Sequence, residues 1–150
     1  MMWRLVVRVR SGFTAMELVL VLVIFSIIVA FGYPPLAAQL RRTRLNQAAH
    51  VVAADIEIAS MLAARDRRPM LFEGRTSDYL IRDVKTGAVR FRRTLGAASE
   101  YGVRSMRFEP REVEFFPSGM ASSSMRVDLT TQGYTRKVQM TRAGYVRLVP

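Results

Sequence analysis

Residues 12–32 read Gly12-Phe13-Thr14-Ala15-Met16-Glu17-Leu18-Val19-Leu20-Val21-Leu22-Val23-Ile24-Phe25-Ser26-Ile27-Ile28-Val29-Ala30-Phe31-Gly32. From Leu18 to Phe31 every residue except Ser26 is apolar. As a helix, Phe13 to Gly32 is about 30 Å long, the thickness of one hydrocarbon core. Val and Ile are weak helix formers in water. In lipid the requirement that every backbone group be bonded internally overrides that preference. The stretch predicts a transmembrane helix over residues 13–35. Glu17 interrupts its N-terminal edge. A carboxylate costs roughly 2.5 kcal/mol or more near the bilayer centre and less near the edge. A helix start also favours an acid through its dipole.

Upstream lies a short basic leader, Met1 to Gly12, with Arg4, Arg8, Arg10 and no acid. The leader arginines favour a cytoplasmic N-terminus. Arg41, Arg42 and Arg44 beyond the apolar run oppose that vote equally. The N-terminal cluster emerges first, which resolves the tie. A conventional signal peptide is the rival reading, with cleavage at Ala30-Phe31-Gly32 or Ala37-Ala38. It leaves Thr14 and Glu17 unexplained between the basic and apolar regions. A plain single-pass anchor is the third.

The element Gly12-Phe13-Thr14-Ala15-Met16-Glu17-Leu18, between basic leader and apolar run, resembles the type IV prepilin cleavage and methylation signature. The resemblance implies that a prepilin peptidase/methyltransferase cuts after Gly12 and methylates the new N-terminus at Phe13. It implies Glu17 as the assembly carboxylate and Pro34 as a helix-kinking proline. The chemistry is coherent with that implication. Glycine lets extended backbone approach a protease closely. The freed amine at Phe13 is a cation near lipid, and a carboxylate on an adjacent subunit can pair with it.

Beyond Pro34-Pro35 the pattern becomes amphipathic. Leu45, Ala49, Val52, Ile56, Ala59 and Ala63 recur at alternating spacings of four and three, one face of a helix. Arg41, Arg42, Arg44, Asn46, Asp55 and Glu57 are expected mostly on the other faces. The helix is expected to end near Ala64, before Arg65-Asp66-Arg67-Arg68-Pro69. His50 lies within it and reads as solvated or packed.

The second half predicts short strands: Met70–Glu73, Tyr79–Asp83, Ala88–Arg93, Val103–Phe108, Glu112–Phe116, Met125–Thr130, Tyr134–Thr141 and Tyr145–Val149. Met125, Val127 and Leu129 alternate with Arg126, Asp128 and Thr130, the mark of a half-buried strand. Lys85-Thr86-Gly87, Gln132-Gly133 and Ala143-Gly144 read as hairpin turns. Pro117 to Ser124 reads as a loop. The expected fold class is α+β: a long N-terminal helix, half transmembrane and half amphipathic, packed on a small antiparallel sheet domain.

Val113-Glu114-Phe115-Phe116-Pro117-Ser118-Gly119 and the closing Ala143-Gly144-Tyr145-Val146-Arg147 resemble the C-terminal domain of GspH/FimT-like minor pseudopilins. The resemblance implies a small β-rich domain set on the N-terminal helix. Tyr145 stands where that family has an arginine.

Composition narrows the chemistry. The chain has no cysteine and one histidine, which excludes disulfides, thiol nucleophiles and cysteine or multi-histidine metal sites. No Gly-rich phosphate loop or nucleophile elbow is present. Glu112 and Glu114 share a strand face and read as a solvated acidic edge. No cofactor, metal site or catalytic residue is expected, and the chain does not read as an enzyme. The net charge is +11, nearly all from arginine. The candidate anion contacts are Arg136, Lys137, Arg142 and Arg147. The resemblance implies DNA as their partner in some minor pilins.

The expected organisation is a prepilin leader (1–12), a transmembrane helix (13–35) and a periplasmic pilin-like domain (36–150). The expected function is that of a filament subunit at the bacterial inner membrane. The reading favours a minor pseudopilin of a type II secretion system, partnered by the peptidase, the membrane and other pilin-like subunits. The alternative is a minor pilin of a type IV pilus or competence apparatus that binds DNA.

Overall fold

The computed structural model describes residues 12–149. The leader expected over 1–12 therefore lies outside the described residues except for Gly12. One helix, α1, runs Ala15–Asp66. Eight strands follow: β1 Met70–Gly74, β2 Asp78–Asp83, β3 Val89–Thr94, β4 Ser105–Glu109, β5 Glu112–Phe115, β6 Met125–Thr131, β7 Tyr134–Met140 and β8 Val146–Val149. This is the expected α+β arrangement, with each expected strand present within two residues of its bounds. The chain divides into two compact units, one ending at Ala38 and the other beginning at Gln39.

In the first unit the side chains described from Phe13 to Tyr33 are all exposed. The helix starts where Thr14 caps it: its Oγ1 accepts the Glu17 N–H at 3.2 Å. Ser26, the one polar residue of the run, turns its hydroxyl back to donate to the Val23 carbonyl at 2.7 Å. The hydroxyl therefore presents no unpaired donor to an apolar surrounding. The run from Ala15 is long and apolar enough to cross a membrane.

In the second unit, the stripe Leu45, Ala49, Val52, Ile56, Ala59 and Ala63 is fully buried, as its spacing predicts. Alanines on this stripe let the helix backbone lie close to the strands. The helix closes at Arg67, whose φ of 51° is left-handed. The Arg68 N–H bonds the Ala63 carbonyl at 3.2 Å across that turn, and Pro69 forbids continuation.

The strands form two antiparallel sheets, ordered β3-β2-β1-β5 and β4-β6-β7-β8, where a single small sheet was expected. Both contribute to one core with the helix stripe. An aromatic cluster joins them. Phe72 of β1 stacks on Tyr79 of β2 at 5.1 Å, and Phe108 of β4 meets both rings at 5.9 and 6.1 Å. Gly74 makes this possible, because a Cβ there would clash with the carbons of the Phe108 ring.

One polar group enters that core. Asp55, expected on a solvated helix face, is only 2% exposed. The Tyr79 hydroxyl donates to it at 2.6 Å, and Arg93 of β3 donates through Nε at 2.5 Å and Nη2 at 3.1 Å. The carboxylate thus ties α1 to two strands of the first sheet. Burial, then the bond to Asp55, pushes the Tyr79 phenol far above its ordinary range. Arg93's own bond to Asp55 likewise raises its guanidinium. Both groups keep their protons at any physiological pH.

Candidate functional site

Among the described residues no three His, Cys, Asp or Glu side chains gather as metal ligands. The site residues expected from the sequence lie in the N-terminal segment and around the second sheet.

At the N-terminus, Gly12, Phe13 and Thr14 precede the helix in non-helical backbone. Phe13 is 77% exposed. Glu17 lies in the first turn of α1 and is exposed. The Gly12–Phe13 bond thus lies outside the helix. Pro34 falls within the span of α1.

The four basic residues singled out at the C-terminal end do not form one cluster. Residues on β7 alternate between its two faces. Arg136 faces α1, where its Nε donates to Asn46 Oδ1 at 2.6 Å. It borders a groove of about 290 Å³ between helix and β8, shared with Ala49, His50 and Leu148. His50 itself is exposed. Lys137 is exposed and opposite Asp128 in the β6–β7 register.

Arg142 and Arg147 border one groove. With Arg126 and Gln139 they line a groove of about 490 Å³ on the outer side of the sheet. Arg126, Gln139 and Arg147 are register partners across β6, β7 and β8. Arg147 donates twice to Gln139 Oε1, at 3.1 and 2.8 Å. Arg126 was not among the expected contacts. It was legible as the outward member of an alternating strand, but its meeting with Arg147 depends on pairing of distant strands.

Charge pairing divides the molecule. On the first sheet, Arg75 and Arg82 pair with Glu73, Arg92 with Asp78, and Arg93 with Asp55. Arg90 reaches Asp66, and Arg107 of β4 pairs with Glu109 at 2.7 Å. From β6 onward no basic side chain pairs with a carboxylate among the described residues. Glu109, the one acid lining the outer groove, is engaged by Arg107. Glu112 and Glu114 lie across from Glu73 and Leu71 on the outer side of the first sheet.

No protein-family model matches the chain, and no curated protein matches it. Solved structures do. The type IV minor pilin FimU of Pseudomonas aeruginosa matches with a TM-score of 0.60 at 17% identity, covering 73% of this chain and 90% of that one. A second crystal form of FimU matches at 0.57 and 15% identity, covering 70% and 92%. The minor pseudopilin EpsH of the Vibrio cholerae type 2 secretion system matches at 0.53 and 14%, covering 71% and 96%. The fold is the pilin-like one, shared by a pilus subunit and a secretion subunit.

Proposed function

We propose that this chain is a pilin-like filament subunit, cut after Gly12, methylated at Phe13 and assembled through its N-terminal helix. The supporting observation is the position of the Gly12–Leu18 element. It spans the non-helical entry and first turn of a helix whose apolar part is exposed from Ala15 to Tyr33, on a chain with a pilin-like fold. An apolar surface of that length needs lipid before assembly and neighbouring helices after it. Glu17 then offers its carboxylate to the methylated amine of an adjacent subunit, a pairing that sets register more than it adds stability. Pro34 removes one helical hydrogen bond and introduces a bend. The sheet domain stands in the periplasm. We favour a minor pseudopilin of a type II secretion system.

One observation favours the alternative of a DNA-binding minor pilin. Three arginines line a single open groove without a free carboxylate. A phosphate backbone would neutralise them, with affinity falling steeply as salt rises.

Mass spectrometry of the N-terminal peptide from native membranes tests the main reading. The expected mature chain begins at N-methyl Phe13, and Glu17→Ala is processed normally but fails to enter filaments. A chain beginning near Tyr33 or Gln39 would identify an ordinary signal peptide and end the filament reading. An uncut leader would leave a plain membrane anchor.

A further inference from the structure

The edge of the second sheet carries a feature that filament assembly through the N-terminal helix does not use. β8 is the last strand in the order β4-β6-β7-β8 and is bonded on one side only. An edge strand presents a row of backbone donors and acceptors to any extended chain that can lie beside it. Here both faces flanking the edge are shaped. On the helix side is the groove bounded by Ala49 and by Leu148, which is 40% exposed. On the outer side is the arginine groove.

The charges beside this edge are held in an unusual way. Arg136 and Arg147, one on each face, are bonded to the neutral amides of Asn46 and Gln139. Arginine hydrogen-bonded to a carboxylate is the stronger arrangement, which Arg93 makes with Asp55 on the first sheet. The amides orient both guanidiniums, and no carboxylate among the described residues pairs with either. We infer that the β8 edge docks an extended segment of a partner protein that alternates acidic and apolar residues, adds as a further strand, and places its carboxylates against Arg147 on the outer face and its apolar side chains toward Leu148 on the helix side.

A polypeptide fits better than a nucleic acid because the edge offers backbone bonds and the helix-side groove offers apolar surface. A phosphodiester chain uses neither. A second copy of this chain fits less well. Its own acidic strand is β5, where Glu112 and Glu114 alternate with Val113 and Phe115. The Glu114 carbonyl already accepts the Ser122 N–H at 2.8 Å, and its N–H already donates to Ser122 Oγ at 3.1 Å. That edge is therefore covered from within.

The test uses the full chain in zwitterionic detergent and fluorescence anisotropy of short blocked peptides. The probes are an alternating Val/Glu peptide, its Val/Lys counterpart, the Val/Glu peptide with alternate backbone amides methylated, and oligothymidylate of equal charge. The expected result is saturable binding of the Val/Glu peptide alone. Backbone methylation should weaken it at least about tenfold, a loss of roughly 1.4 kcal/mol. The variant Arg147→Gln should do the same while leaving the circular dichroism spectrum unchanged. Equal binding of the methylated peptide would reduce the site to charge attraction and overturn strand addition. Equal or tighter binding of oligothymidylate would overturn a polypeptide partner. No preference for Val/Glu over Val/Lys would overturn the site. None of these outcomes depends on whether the chain is cut after Gly12, so this proposal and the filament reading fail separately.

Discussion

Asp83 closes the β2–β3 hairpin with one carboxylate. Its Oδ1 accepts the N–H groups of Lys85 and Thr86 at 2.8 and 3.0 Å, and Gly87 completes the turn at a φ of 70°. Those backbone bonds, with Arg68 beside Oδ2 at 3.6 Å, hold its pKa below the ordinary 3.8. A carboxylate depressed in the folded state binds its proton more readily once the chain unfolds. Its contribution is complete above about pH 4 and is lost as pH falls through the lower, folded value. Thermal unfolding followed from about pH 5 to pH 2 should show this loss, and Asp83→Asn should flatten the profile. Asp55 shows how a single residue can be misread. Its position three after Val52 and four before Ala59 puts it inside the apolar stripe, a signal present in the sequence. Polarity argued for solvent instead, because its partners Tyr79 and Arg93 lie 24 and 38 residues away.

Among the elements, α1 is the one whose two halves have opposite needs. Its buried stripe was legible because helical periodicity is local and Ala, Leu, Val and Ile occupy it without exception apart from Asp55. Ile56 is 1% exposed at the middle of the stripe, whereas Met61 on the same helix is 60% exposed. Truncation of Ile56 to Ala should therefore cost about 2–5 kcal/mol. Met61→Ala should change stability by no more than about 0.5 kcal/mol. Urea unfolding of the two variants in the same detergent distinguishes them. The strands were equally legible, since alternation and turn glycines act over a few residues. Their division into two sheets was not. β1 pairs with β5 across some forty residues, and nothing local to either strand encodes that choice. The candidate basic site suffered the same limit: four arginines and lysines near in sequence were split between two faces by the pairing of β7.

For the molecule as a whole, the decisive contact is Phe108 lying on the bare backbone of Gly74. It is the place where one sheet closes onto the other, so the two cannot loosen independently. Gly74→Ala forces the ring aside and should destabilise the domain by about 1–3 kcal/mol, read as a lowered midpoint in thermal unfolding. The alanine adds only one methyl to the side chain, and its effect should reach both sheets together in near-ultraviolet circular dichroism. The unpaired arginine at the sheet edge has a consequence of a different kind. Two like strands that met edge to edge would lie about 4.8 Å apart and bring one Arg147 up to another. At physiological ionic strength mobile ions screen over roughly 8 Å, a longer distance than that gap, so the repulsion survives. Repulsion between the two Arg147 side chains therefore disfavours pairing of this edge with the same edge of a second copy.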